Sequence, residues 1–181
     1  MVTDVEVRQE RESDRRQVRQ VVQAAFRTQP VVADLVEVLR ASAGWRPSLS
    51  LVAQEHGAVV GHVLASRGWL DAQAQLIDVL ILSPLSVTPG RQGQGIGTRL
   101  VRQLLAVAAS GTEPAIFLEG SPGYYGRFGF EAAGSAGFRR PSLRIPESAF
   151  QVRTFASYKP WMTGTLVYPE AFWALDCVGL R

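Results

Sequence analysis

The chain has 181 residues, 46% of them hydrophobic and 19% charged, with a net charge of only +3. That balance excludes a disordered chain, and the length suits a single globular domain over residues 1–181 with a sizeable core. No apolar run approaches the ~18 residues of a membrane span. A single cysteine, Cys177, excludes an intrachain disulfide and a thiolate metal cluster, and reads as core filler rather than as a nucleophile.

The N-terminal MVTDVEVRQERESDRR has no apolar stretch of signal-peptide type, so the expected compartment is the reducing cytoplasm. His56 and His62 begin no recognisable ligand set, so no metal is expected. The basic charge is nearly all arginine, with Lys159 the one lysine. The arginines are scattered and not interleaved with aromatics, which argues for a solvated surface and against a nucleic-acid partner.

In chain order, Val5 and Val7 alternate with polar residues and predict a first strand. Ser13 is placed to cap a helix, with Asp14 in its first turn and Val18, Val21, Val22, Ala25 and Phe26 on one face. After Pro30 a second helix carries Val32, Leu35, Val36 and Leu39, with Gly44 as its end signal. Leu49 to Ala65 reads as a hairpin turning at His56-Gly57. Leu76 to Leu82 is apolar at nearly every position, as in a strand covered on both faces. Pro84 cannot donate to a ladder, so a bulge or splayed edge is expected there. A strong amphipathic helix follows, from Ile96 through Leu100, Val101, Leu104 and Leu105 to Ala108. Further strands are expected at Ala115–Leu118, over Phe150 to Thr154, and at Thr163–Tyr168. A short helix from Tyr124 to Phe128 is stopped by Gly129, and residues 134–148 read as loop.

The segment Val87-Thr88-Pro89-Gly90-Arg91-Gln92-Gly93-Gln94-Gly95-Ile96-Gly97-Thr98 joins a buried strand to an amphipathic helix. Glycines let the backbone approach a ligand closely, and the open amides and dipole of a helix start favour phosphate. A P-loop needs Gly-Lys-Ser/Thr, and no lysine is present. In a dinucleotide fingerprint counted from Gly93 or Gly95, the third glycine falls on Thr98 or Leu100. The spacing Gln92-x-x-Gly95-x-Gly97 instead resembles the Q/R-x-x-G-x-G/A acyl-CoA pyrophosphate loop of the GNAT N-acyltransferase superfamily. A purely structural glycine turn is the plainer alternative.

A second stretch, Gly123-Tyr124-Tyr125-Gly126-Arg127-Phe128-Gly129-Phe130, is similar to the FYxxxGF signature of the same superfamily. The two motifs stand in the family's order, and the likeness is specific from Leu82 to Phe130. It implies an α/β fold with a central mixed, mostly antiparallel sheet of about seven strands flanked by helices. It implies acetyl-CoA as co-substrate, held by the backbone of Leu85, Ser86 and Val87 along its pantetheine arm. Gln92, Gly93, Gln94, Gly95, Ile96, Gly97 and Thr98 would hold its pyrophosphate. It further implies that Tyr125 lies beside the cofactor sulfur. There it is expected to donate a proton to the departing sulfur, the plainer alternative being a packed aromatic whose hydroxyl only orients the cofactor, and Tyr124 reads as packing. Many relatives carry an asparagine where Leu118 stands, so that contact is not carried over.

The implied reaction moves an acetyl group to a primary amine by direct attack in a ternary complex. The acceptor is a small-molecule amine or a peptide amine, with no membrane partner, and a homodimer built through Val167 to Phe172 stays open. The alternatives are a non-catalytic acyl-CoA-binding or regulatory domain on this scaffold and a nucleic-acid module. A base is needed because an alkylammonium has a pKa of about 10.4. Asp78, Glu119 and His62 are the side chains in view, and the sequence selects none of them. Trp45, Trp69, Trp161 and Trp173 are candidates for an acceptor cleft or, more plainly, for packing.

Overall fold

The computed structural model describes residues 5–179. Eight strands form one mixed, mostly antiparallel sheet: β1 (Val5–Gln9), β2 (Ser50–Glu55), β3 (Ala58–Ala72), β4 (Leu76–Val87), β5 (Ala115–Glu119), β6 (Glu131–Ala132), β7 (Phe150–Thr154) and β8 (Gly164–Val167). Their order is β1-β2-β3-β4-β5-β7-β6, with β8 added on β3. The helices are α1 (Arg15–Ala25), α2 (Val31–Arg40), α3 (Ile96–Ala109), α4 (Pro122–Tyr125) and α5 (Glu170–Ala174). The chain divides into two compact units, Met1–Ala65 with Ser83–Ser110 and Ser66–Leu82 with Gly111–Arg181.

In the first unit, β1 pairs antiparallel with β2, and β2 with β3. His56 and Gly57 both take positive φ, 48° and 82°, as a two-residue hairpin turn matched to strand twist requires. A methyl group added at Gly61 would lie 3.0 Å from Leu100 and 3.1 Å from Ile96, so α3 sits close on that face of β3. His62, the next residue, points to the opposite face, where it meets Glu10, itself paired with Arg40 of α2.

Two expected helix signals are not used. Ser13 does not cap α1. A 3-10 turn over Glu12–Asp14 leads into the helix, and the Asp14 carboxylate accepts the Arg11 N–H at 2.8 Å and the Arg8 guanidinium at 2.7 and 3.0 Å. Gly44 does not end α2, which stops at Arg40 with Ala41 still right-handed. The Leu39 carbonyl is taken by the Ser42 hydroxyl at 2.7 Å and its N–H at 3.1 Å, so no left-handed glycine is needed.

Asp14 gives a pH-dependent stability. Its hydrogen bonds from Arg8 outweigh burial and hold the carboxyl below the usual aspartate range. A depressed folded value means the stabilisation is present above the unfolded value of about 3.9 and is lost as pH falls through the folded one. Asp14→Asn is expected to cost about 1–3 kcal/mol at pH 7 in urea unfolding, with the difference from wild type vanishing in acid.

In the second unit, β5 pairs antiparallel with β7, β7 with the two-residue β6, and β3 beyond Gly68 with β8. A methyl group at Gly164 would lie 2.1 Å from the Asp71 carbonyl oxygen, so the start of β8 needs glycine. Phe117 packs edge-on to Phe138 at 5.0 Å and stacked on Phe150 at 5.8 Å in the core of this unit. The brief β6 and α5 carry too few residues for a readable period.

β4 runs unbroken through a cis Ser83–Pro84 bond. Its parallel pairing with β5 is confined to Leu80↔Ile116 and Ile81↔Phe117, so the ladder stops before Pro84, in line with the expected splayed edge.

Candidate active site

The glycine-rich segment turns from β4 into α3 through a 3-10 turn over Pro89–Arg91. Three contacts brace it: Thr88 N–H donates to the Val60 carbonyl at 2.9 Å, Arg91 pairs with Glu55, and the Gln92 side-chain amide donates to the Val87 carbonyl at 3.1 Å. Gln94 Nε2 reaches the Gly90 carbonyl at 3.3 Å. Both glutamine side chains therefore hold the loop's shape.

Gly93 and Gly95 sit at φ 74° and 80°, in the left-handed region, and a methyl group at either would meet nothing within 4 Å. The space beside them is open. Gly95 is the cap residue of α3; no side chain caps this helix and no acidic residue stands in its first turn. The first helical bond runs from Arg99 N–H to the Gly95 carbonyl at 3.0 Å. The amides of Ile96, Gly97 and Thr98 thus precede the helical ladder at the positive end of the dipole. Ile96 is buried and anchors the turn, while Gln92 to Gly95 are exposed. This is an anion-binding geometry.

On the adjoining part of β4, Ser86 is buried with its hydroxyl donating to the His62 carbonyl at 3.3 Å, and Leu85 and Val87 are half-buried. In the second unit, Pro122 opens α4 and Gly129, at φ 80°, ends the turn that follows it. The Tyr125 ring lies against the backbone of Gly120, where a methyl group would come within 2.4 Å of Cε2. It packs edge-on to Tyr124 at 4.8 Å and to Phe130 at 5.8 Å. Burial pushes its hydroxyl well above the usual phenol range, so it stays protonated at every working pH. Gln151 fixes the strand end by donating to the Gly120 carbonyl at 2.8 Å. Leu118 is buried and apolar and offers no polar group in the asparagine's place.

The three titratable candidates separate clearly. Asp78 is exposed and faces Arg67 at 3.7 Å, a solvated pair on the open face of β4. His62 is fully buried, with Nε2 3.1 Å from the Ser50 hydroxyl and 3.6 Å from Glu10. Burial lowers its pKa and keeps it neutral, so it is a hydrogen-bonded strand histidine closed to solvent. Glu119 is half-buried at the end of β5 and accepts the Tyr168 hydroxyl at 2.9 Å and the Gly179 N–H at 3.0 Å. Burial pushes its carboxyl up, and those two donors only partly offset it.

Nothing in the sequence pointed to Tyr168, because its partner lies 49 residues away. Trp45 and Trp69 are half-buried and Trp161 and Trp173 exposed. Cys177 is half-buried, short of the expected core position, because it follows the last turn after α5, where its sulfur faces the Leu175 carbonyl at 3.5 Å.

An acetyltransferase (GNAT) domain model matches residues 6–133, which takes in both the glycine-rich loop and α4. The chain belongs to the GNAT acetyltransferase family. The uncharacterized N-acetyltransferase YjhQ of Escherichia coli K12 is 38% identical over 136 residues, covering 75% of this chain and 74% of its own. A GNAT family acetyltransferase from Brucella melitensis, solved in complex with acetyl-CoA, superposes with a TM-score of 0.75 at 34% identity, over 94% of this chain and 99% of that one. The E. coli GNAT protein YhbS, solved in complex with CoA, gives a TM-score of 0.82 at 28% identity, over 95% and 93%. Membership makes this GNAT chain an N-acetyltransferase. Among the described residues no helix is long and apolar enough to cross a membrane, and no cluster of three His, Cys, Asp or Glu could hold a metal.

Proposed function

We propose that the whole chain acts as one acyltransferase domain that moves the acetyl group of acetyl-CoA to a primary amine by direct attack in a ternary complex. The observation that carries this is the uncapped start of α3 behind Gly93 and Gly95, an open cradle of amides suited to a diphosphate. Acetyl-CoA and CoA in the Brucella and YhbS structures support the choice of ligand.

In this reading the amides from Gly93 to Thr98 hold the pyrophosphate. The backbone of Leu85 to Val87, beyond the last β4–β5 pair, takes the pantetheine arm as an added strand. Gln94 contributes through its backbone, because its side chain is engaged within the loop. Gln92 braces the turn, its N–H donating to the Pro89 carbonyl and its side chain to that of Val87. Tyr125 serves the departing sulfur. A thiol has a pKa of about 8.5, far below this phenol, so complete transfer from it would run uphill. Its contribution is a hydrogen bond to the thiolate as charge develops there.

The acceptor is an amine of small-molecule or peptide type. Isothermal titration of acetyl-CoA, followed by an amine panel with thiol detection, tests the reading. Association together with amine-dependent thiol release is expected. Association without release under any amine would leave an acyl-CoA-binding domain, and no association would end the proposal.

A further inference from the structure

The cradle and the tyrosine leave the acceptor's proton without a destination, since the amine is an ammonium at neutral pH. The placement of one carboxylate at the end of β5 answers this. Side chains alternate along a strand, so Leu118 and Gly120 face one way and Phe117 and Glu119 the other. Tyr125 lies against Gly120 with Leu118 beside it. Phe117 faces Phe138, and Glu119 faces Tyr168 and Gly179. The sulfur-side phenol and a half-buried carboxylate therefore stand on opposite faces of the same strand end, one residue apart in their backbone supports.

We propose that Glu119 is the general base that takes the proton of the acceptor ammonium on the face of β5 opposite Tyr125. This rests on the acetyl-transfer reading above. The groups facing Glu119 are the Tyr168 hydroxyl from the end of β8, the Gly179 N–H, and at longer range Arg144, which is itself paired with Asp176. Two donors leave the carboxylate with lone pairs to spare. Burial raises its basicity towards that of a competent base, as catalysis near neutral pH favours.

The step balances as follows. Glu119 takes one ammonium proton, and the freed nitrogen lone pair forms the N–C bond to the thioester carbon. The C–S bond breaks with its electron pair going to sulfur. The nitrogen then loses a second proton, which solvent relays to the thiolate held by Tyr125. The amide, free CoA thiol and one net proton result.

The plainer role for Glu119 is a tether holding the C-terminal segment to β5, and two variants separate the roles. With an amine that the wild type accepts, Glu119→Gln is expected to lower kcat by about 10²–10⁴-fold. Calorimetric acetyl-CoA affinity should be unchanged, and the acid limb of the pH–kcat profile should disappear. Tyr168→Phe keeps the carboxylate and removes one donor to it. It is expected to hold kcat within a few-fold and to move the acid limb to higher pH, because the carboxylate form loses stabilisation. A Glu119→Gln enzyme with wild-type kcat, or one keeping the acid limb, overturns the proposal. So do two variants that lose activity alike with the limb unmoved, which is the tether's signature. If Glu119→Gln fails to fold, an unmoved limb in Tyr168→Phe overturns it alone. A wild type that binds no acetyl-CoA or releases no thiol fails the underlying reading instead, and is recognised before either variant is made.

Discussion

Gly95→Val is expected to raise the acetyl-CoA Kd by about 10- to 100-fold while leaving the melting temperature close to that of the wild type. Gly95 sits at φ 80°, where a β-branched residue is strained by about 1–3 kcal/mol. The free protein relieves that strain by rotating residue 95 into negative φ, which turns the first amides of α3 away from the cradle. Binding must restore the left-handed turn, so the strain appears in the dissociation constant, at about 1.4 kcal/mol for each factor of ten. Folding is little affected because the position is exposed and a side chain there touches nothing. Gly90→Ala is the matched control. Gly90 has no left-handed φ and the same open surroundings, so alanine there should leave the Kd unchanged. Equal affinities for Gly95→Val and wild type would remove the cradle from the binding site.

Tyr125→Phe is expected to lower kcat by about 10- to 100-fold with the acetyl-CoA Kd within a few-fold of wild type. The substitution keeps the ring that packs on Gly120, Tyr124 and Phe130 and deletes only the hydroxyl. A hydrogen bond to a charged sulfur contributes about 1.5–3 kcal/mol, and it forms fully only as the C–S bond breaks, which places the loss in kcat. The raised phenol adds a second expectation. The hydroxyl stays protonated across the assay range, so the wild type shows no alkaline limb from Tyr125 and the variant's pH profile keeps the wild-type shape. Unchanged turnover in Tyr125→Phe would reduce the residue to an orienting contact.

The two motifs were legible because each is local. Gln92-x-x-Gly95-x-Gly97 carries its own turn chemistry, and left-handed φ at Gly93 and Gly95 is something a glycine announces without a partner. The amphipathic period of α3 and the apolar run of β4 likewise need only the residues that form them. The misreadings lie where a distant group took over a local role. Ser13 had the right chemistry for a cap, but Arg8 and the Arg11 amide drew Asp14 into that place. Gly44 was a sound stop signal, but Ser42 had already satisfied the Leu39 carbonyl.

The sequence by itself determined the family and the left-handed glycine turn into α3, since these rest on residues within one strand–loop–helix step or one short helix. Tertiary structure alone set Asp78, His62 and Glu119 apart in burial and partners. What separates a solvated pair, a sealed neutral imidazole and a half-buried carboxylate is burial and partners, and these come from segments far along the chain: Glu10 and Ser50 for His62, Tyr168 and Gly179 for Glu119. Desolvation depends on everything that packs around a group, and no pattern of neighbours in sequence encodes it.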